Sequence, residues 1–341
     1  MTVKIRPEHL RFEGLLDLAR LPYFEVRDGR LVLADPSLGP AIDLHTHLAL
    51  TYFRRQTVDL LKASERTEHY LPAERPIEMD VYQNRNFTPV DLRNMTRDLS
   101  LGAVRCSGMR ATHTVPNLER EMAELGVSRS VLLPIELPVL SHNAETWLQA
   151  TRERSGFVCF GSVHPFVRDP ASALDDQIRR GARGVKVHPA VQLVPPDHDR
   201  CMRLYRLCAE RGLPVFFHCG PVDIETRLGR RFSQVRRYER AIAETPDCTF
   251  VLGHSGALQY EEAVGFARRY PNVWLELASQ SLSGVAHVLE RADTSRILYG
   301  SDWPFYHQAI GLAKVFLVTE GDRLLRQAVL SGNASRLLGL S

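Results

Sequence analysis

Short apolar runs that end in a polar or turn residue alternate along most of the chain with stretches of helical spacing. The runs are AIDLHTH (41–47), SVLLPIE (130–136), FVCFGSVHP (157–165), GVKVHP (184–189), PVFFHCG (214–220), FVLGHSG (250–256), NVWLELAS (272–279) and ILYGSDWP (297–304). Strands that alternate with helices mark βαβ units and a parallel sheet. With strand ends at 47, 136, 164, 188, 218, 254, 278 and 302, every spacing after the first has room for a single crossover helix. Eight alternations predict an α/β fold, a (β/α)₈ TIM barrel. An open doubly wound sheet is the competitor, but no strand is followed by a Gly-rich dinucleotide fingerprint.

Helix punctuation supports the pattern: Asp169 then Pro170 open ASALDDQIRR, with Gly181 behind it, and Asp197 precedes CMRLYRLCAER, with Gly212 behind it. The long first spacing, 47 to 136, predicts an inserted, partly helical cap at residues 50–128 over one mouth of a barrel at 41–341. Within it DLLKASER and NMTRDLS read as helical, and PAERP and NFTP as breaks. Residues 1–40 form an N-terminal extension in which Asp28-Gly29-Arg30 between two apolar stretches signals a hairpin.

Charge narrows the partners: 43 basic against 40 acidic residues give a net charge of +3, with no global field for nucleic acid or membrane. A small-molecule substrate becomes the default, and self-association stays open. No apolar run has the length of a membrane span or the form of a signal segment, and the six cysteines make no CxxC pair. They read as free thiols in a cytoplasmic protein.

In a parallel barrel the chemistry sits at the C-terminal strand ends. Five of the eight runs carry His or Asp there: His45 and His47, His188, His218, His254 and Asp302. Two-residue alternation puts His45 with His47, and Lys186 with His188, on one face at the mouth. Imidazoles with one carboxylate suit zinc, with manganese or iron as alternatives. A lone HxH is weak and Asp302 alone reads equally as a helix cap. Their agreement across separate strand ends carries the argument, because burying so many ionisable groups together is costly without a metal.

The remaining histidines carry less. His9, His69, His113, His142, His198, His287 and His307 read as surface or supporting residues, and His164, which ends the third run, stays open. Alternation turns Cys219 away from the mouth. The stretch RLGRRFSQVRRYER (227–240) spaces Phe232, Val235, Tyr238 and Ile242 at helical intervals, a solvated basic face, with Arg227, Arg230 or Arg231 as minor candidates for steering an anion.

The segments DLHTH, GVKVHP, FHCG, LGHSG, LYGSDWP and GNASRLLGL, in order from residue 41 to 340, resemble the amidohydrolase superfamily, in the branch that also holds lactonases and non-oxidative decarboxylases. The resemblance implies one divalent ion on His45, His47, His218 and Asp302. It gives Asp302 a second role as acceptor of a proton from water, and has His254 face the substrate or a second ion, in a catalytic role that orients the water or polarises a carbonyl. Lys186 and His188 would bind substrate, with a second ion only if Lys186 is carboxylated. The implied activity is hydrolysis of an amide, ester or lactone of a small molecule, with an anionic substrate left open. The alternative on the same residues is decarboxylation of a carboxylated aromatic or unsaturated acid. A metal-stabilised scaffold without activity is the third reading, disfavoured because every expected ligand position is filled.

Overall fold

A computed structural model describes residues 6–52, 56–100, 108–137 and 140–340. Eight parallel strands run through it: β1 (Ala41–Thr46), β2 (Val127–Leu132), β3 (Phe157–Cys159), β4 (Val185–Val187), β5 (Val215–His218), β6 (Phe250–Gly253), β7 (Val273–Glu276) and β8 (Ile297–Leu298). β1 to β3 form one ladder and β4 to β8 another. Single bridges, Gly161 with Val185 and Thr46 with Trp303, join the two ladders at both seams. At the second seam Leu44 N donates to Tyr299 O (3.0 Å), His47 N to Trp303 O (2.7 Å) and Asp302 N to His45 O (2.8 Å). The sheet therefore closes on itself, and the fold is the barrel the alternation predicts.

Closure sorts the strand residues onto two faces. Ile42, Leu44, Val131, Leu133, Val158, Phe160, Phe216, Val251 and Leu298 pack in a cluster of their own, with Ala334 and Leu338 of the C-terminal helix Asn333–Leu338. Their strand neighbours, such as Val185, Val215, Phe217, Leu252 and Leu275, join the larger core with the surrounding helices.

Several boundaries differ from the sequence pattern. β2 starts at Val127 and stops at Leu132, because beyond it the chain turns to local partners: Glu136 Oε1 accepts from Ala144 N at 2.6 Å. β7 ends at Glu276, two residues early, and β8 is two residues long, which leaves GSDWP as a loop. The cap of helix Asp199–Glu210 is His198, whose Nδ1 accepts from Arg200 N (3.1 Å), while Asp197 is held by Arg237 (3.0 Å). Asp169 does cap Pro170–Arg179 as predicted, accepting from Ser172 N at 3.1 Å. The hairpin forms too: Phe24–Arg27 pairs antiparallel with Arg30–Leu33 across Asp28 and Gly29, both at positive φ.

After β1 the chain contributes helices Pro89–Ser100 and Val115–Glu124. DLLKASER is not helical. Ser64 N donates to Asn117 Oδ1 (3.0 Å) and Arg120 Nη1 to Ser64 O (2.7 Å), so the second helix holds this stretch in turns. Arg11–Phe12 pairs with Ile77–Glu78, which ties the N-terminal segment to the insertion. The five described cysteines are buried free thiols, and Cys106 lies outside the described residues. Among the described residues no helix is long and apolar enough to cross a membrane.

Asp43 holds the β8–β1 seam from beneath. Its buried carboxylate accepts from His45 N (3.1 Å), Ser301 N (2.9 Å), Ser301 Oγ (2.5 Å) and Gln308 Nε2 (2.7 Å). Asp43→Ala leaves these donors without an acceptor, and a loss of about 3 kcal/mol in urea unfolding is expected. A loss below about 1 kcal/mol would show that the seam does not depend on this residue.

Candidate metal centre

The first histidine pair depends on an irregularity in β1. Strict alternation would set His45 opposite Leu44, which packs inside the barrel. Between Asp43 and Thr46, however, β1 advances three residues against two of β2 (Ser130 to Leu132), a β-bulge of the kind that re-aims side chains at barrel rims. His45 thereby joins His47 at the mouth. His45 Nε2 and His47 Nε2 lie 3.5 and 3.4 Å from Asp302 Oδ1. These three atoms fall within 4.8 Å of one another, a group that could hold a metal ion.

The far sides of both rings decide whether that group fits a cation. His47 Nδ1 donates to Leu133 O (2.8 Å), and His45 Nδ1 donates to Glu276 Oε2 (2.9 Å). Each imidazole therefore carries its proton away from the centre and presents an unprotonated Nε2, the arrangement that orients metal-ligating histidines. Burial, reinforced by the nearby Lys186 charge, holds His45 well below its ordinary pKa. Neutral imidazoles and a carboxylate constitute a divalent-metal site.

Glu276 is the functional residue the sequence pattern did not single out. It is fully buried at the end of β7, and its carboxylate also accepts from His254 N (3.0 Å) and Ala278 N. Burial lifts its pKa to about 8, against the pull of those backbone hydrogen bonds, and it is in its ionised form, which a bound cation favours, that it accepts the His45 Nδ1 proton. Gly300 makes room for it: a Cβ there would sit 2.1 Å from Glu276 Oε1 and 2.9 Å from His45 Cβ. The available signal was a lone carboxylate inside the apolar run VWLEL.

The other predicted residues share one cavity of about 470 Å³ with His45, His47 and Asp302. His218 is not part of the close three-atom group. It stacks on His188 (ring centroids 4.0 Å apart), and its Nδ1 lies 3.1 Å from His254 Nε2. His254 Nδ1 donates to Ala278 O (3.2 Å), so its Nε2 accepts from His218 Nδ1, which leaves His218 Nε2 unprotonated. Burial brings His254 down to about 4 and, with the neighbouring His188, holds His218 well below its usual value. Lys186, also buried, lies 3.4 Å from His45 Nε2 and over the Phe216 ring, and burial lowers it to about 7 although Asp302 and Glu276 pull it upward.

Backbone strain is concentrated here: His254, Ser255 and Asp302 have φ of 57°, 46° and 64°, the left-handed region that such residues seldom occupy. The His254 turn is clamped by Gln280 Nε2, which donates to His254 O (2.6 Å) and Ala257 O (2.9 Å). Buried Lys314 in turn donates to Gln280 O (2.6 Å) and to Gln83 Oε1 of the insertion (2.8 Å). Beside Asp302, Trp303 Nε1 donates to Glu121 Oε2 (3.0 Å), which also receives His69 Nε2 (3.1 Å). His69, His113 and His307 are thus buried supports behind the GSDWP loop, not surface residues. His164 is buried in a structural role, Nε2 donating to Gln192 O (3.0 Å), and Cys219 points into the outer core. The basic stretch breaks into Arg227–Ser233, Val235–Tyr238 and Glu239–Glu244, and Arg230 pairs with Asp223 at 3.2 Å.

The chain matches the profile of the family described as amidohydrolase over residues 42–340. It belongs to the amidohydrolase family. No curated protein matches the sequence. Among solved structures it resembles an uncharacterised TIM-barrel protein from Bordetella bronchiseptica (20% identity, TM-score 0.59, covering 88% of this chain and 98% of that one). It also resembles a protein assigned as a 2-pyrone-4,6-dicarboxylic acid hydrolase, from Acinetobacter baumannii, with citric acid bound (12%, 0.55, 88% and 99%). A third is a dihydroxybenzoic acid decarboxylase from Polaromonas sp. JS666 with bound manganese and 2-nitroresorcinol (14%, 0.59, 89% and 97%). At these identities the similarity establishes the shared TIM-barrel fold of this amidohydrolase.

Two substitutions probe the centre. Metal content per chain, by elemental analysis, is expected to fall to background in His45→Ala/His47→Ala. Glu276→Ala is expected to keep the fold by circular dichroism yet weaken metal retention against a chelator by roughly 10- to 100-fold, the range for residues that orient ligands. Undiminished retention would remove Glu276 from that role.

Proposed function

We propose that this amidohydrolase hydrolyses an amide, ester or lactone bond of a small molecule, with His45, His47, His218 and Asp302 holding one divalent ion. Zinc is the first candidate, manganese and iron the alternatives, and a second ion would require carboxylated Lys186. The convergence of two imidazole Nε2 atoms and Asp302 Oδ1 at one point of the mouth is the observation that supports this reading. When bound, such an ion acts as a Lewis acid and lowers the pKa of water from about 16 toward about 7. The buried free thiols suit a reducing compartment, the cytoplasm.

The protein groups divide the work. Asp302, its side chain 14% exposed, has an oxygen facing the centre and accepts the proton of the attacking water. His254 is held neutral with Nδ1 fixed on Ala278 O, and its Nε2, which accepts from His218 Nδ1 in this structure, is the atom that would accept a hydrogen bond from the water once His218 turns to the ion. Lys186 and His188 lie on the adjoining wall, where they bind the substrate's carbonyl or carboxylate.

A second reading, decarboxylation, has one observation in its favour: the cavity wall is largely apolar, with Leu50, Met95, Leu99, Ile135, Val191 and Phe305 among its residues, as a ring would require. The similar manganese-bound decarboxylase adds to it. Solvent labelled with ¹⁸O separates the two. Label in the organic product supports hydrolysis, and released CO₂ with an unlabelled organic product supports the lyase.

Asp302→Asn is expected to cut turnover by at least about 10²-fold, the scale of a lost proton-transfer group, with thermal stability little changed because the Asp302 N to His45 O bond is backbone. Near-normal turnover would refute the proton-acceptor role.

A further inference from the structure

Away from the metal centre, one acidic side chain in the cavity wall has an oxygen without a hydrogen-bond partner among the described residues. Glu225 follows β5 in the loop to helix Arg227–Ser233 and lines the same cavity. Its side chain is 8% exposed. One oxygen, Oε1, accepts from Val222 N at 3.0 Å and lies 3.9 Å from Arg230 Nε, whose guanidinium also reaches Asp223. The other, Oε2, is buried without a hydrogen-bond partner among the described residues. A buried acceptor left unpaired is costly, more so when charged, so a ligand donor that reaches it gains affinity.

The charges around the cavity restrict what that partner is. Among the described lining residues the carboxylates are Asp302 and Glu225, and the sole lysine or arginine is Lys186 beside His45. A second carboxylate on the substrate, placed at this wall, would meet the like charge of Glu225. Around it the wall is mainly apolar, with Val222 and Ile224 beside Glu225 and Met95 and Leu99 on the helix Pro89–Ser100, interrupted by the hydroxyls of Thr226, Thr96 and Ser100.

We infer that the substrate has an apolar body and, remote from the reacting bond, a hydrogen-bond donor (an amine, hydroxyl or amide N–H) that binds Glu225, which makes Glu225 a specificity-determining residue. This rests on the reading of the cavity as a metal-dependent reaction site. It sets the chain apart from hydrolysis of dicarboxylates, for which Glu225 stands in the wrong charge.

Hydroxamic acids, which chelate divalent metals, test it in the full chain reconstituted with Zn²⁺ or Mn²⁺. Alkyl hydroxamates of several chain lengths are compared with amine, methyl or carboxylate tails, by calorimetry, with metal content measured on each sample. At the best length the amine tail is expected to bind at least about tenfold more tightly than the carboxylate tail, the scale of one charge-assisted hydrogen bond. Glu225→Gln is expected to remove most of that difference while leaving metal content and tail-less acetohydroxamate binding as in the wild type. Equal or tighter binding of the carboxylate tail to the metal-loaded wild type overturns the inference and leaves the metal reading standing, as does an unchanged ratio in Glu225→Gln. A chain that holds no metal and binds no hydroxamate overturns both.

Discussion

The buried carboxylate of Glu276 governs the geometry of the whole mouth. From the end of β7 it reaches His45 on β1, the amide of His254 beyond β6 and the amide of Ala278 in its own loop. A carboxylate taken out of water this completely persists only when its lone pairs are filled, and here three donors from three chain segments fill them. In return it fixes the proton of His45 on Nδ1 and holds the left-handed His254 turn, with Gly300 opposite as the residue that leaves it space.

Around that anchor the site is assembled from pieces with different duties. The barrel supplies the titratable groups, on short strands whose ends converge. The segment after β1 supplies Leu50, Tyr52, Met95 and Leu99, an apolar wall, together with Gln83, through which Lys314 and Gln280 connect it to the His254 turn. The insertion and the His254 turn are therefore joined by one chain of hydrogen bonds.

Much of this was legible in the sequence, for reasons that differ by residue. The alternation of apolar runs with helix-length spacers fixed eight strands in order, and the polar ends of those runs named His45, His47, Lys186, His188, His218, His254 and Asp302, all of which line one cavity. Local turn chemistry located the Asp28-Gly29 hairpin and the Asp169 cap. What escaped depended on tertiary contacts. Glu276 lay inside what looked like a longer strand, and its role exists only where β1, β6 and β7 meet. DLLKASER has helical composition, but Asn117 and Arg120 on a later helix bind its backbone in turns. His69, His113 and His307 read equally as surface or supporting residues until Glu121 and Trp303 are placed against them, and Glu225, just ahead of the basic stretch, passes for one more charge until its burial is known.

The β-bulge in β1 shows how closely closure and chemistry are coupled. A regular β1 would keep the alternation of Ile42 and Leu44 and carry His45 to the outer face, giving a well-packed barrel without a centre. The extra residue lets β1 fill the interior with Leu44 and still deliver His45 to the mouth, and the irregular backbone that results is caught by Asp302 N on His45 O and His47 N on Trp303 O. Those same bonds close the last seam and set Asp302 in its left-handed conformation, facing both imidazoles. The strain at Asp302 is thus held by the closure of the sheet, not by a separate scaffold. A barrel that fails to close at this seam loses its metal-binding geometry in the same step, so the integrity of the centre reports directly on the completion of the fold.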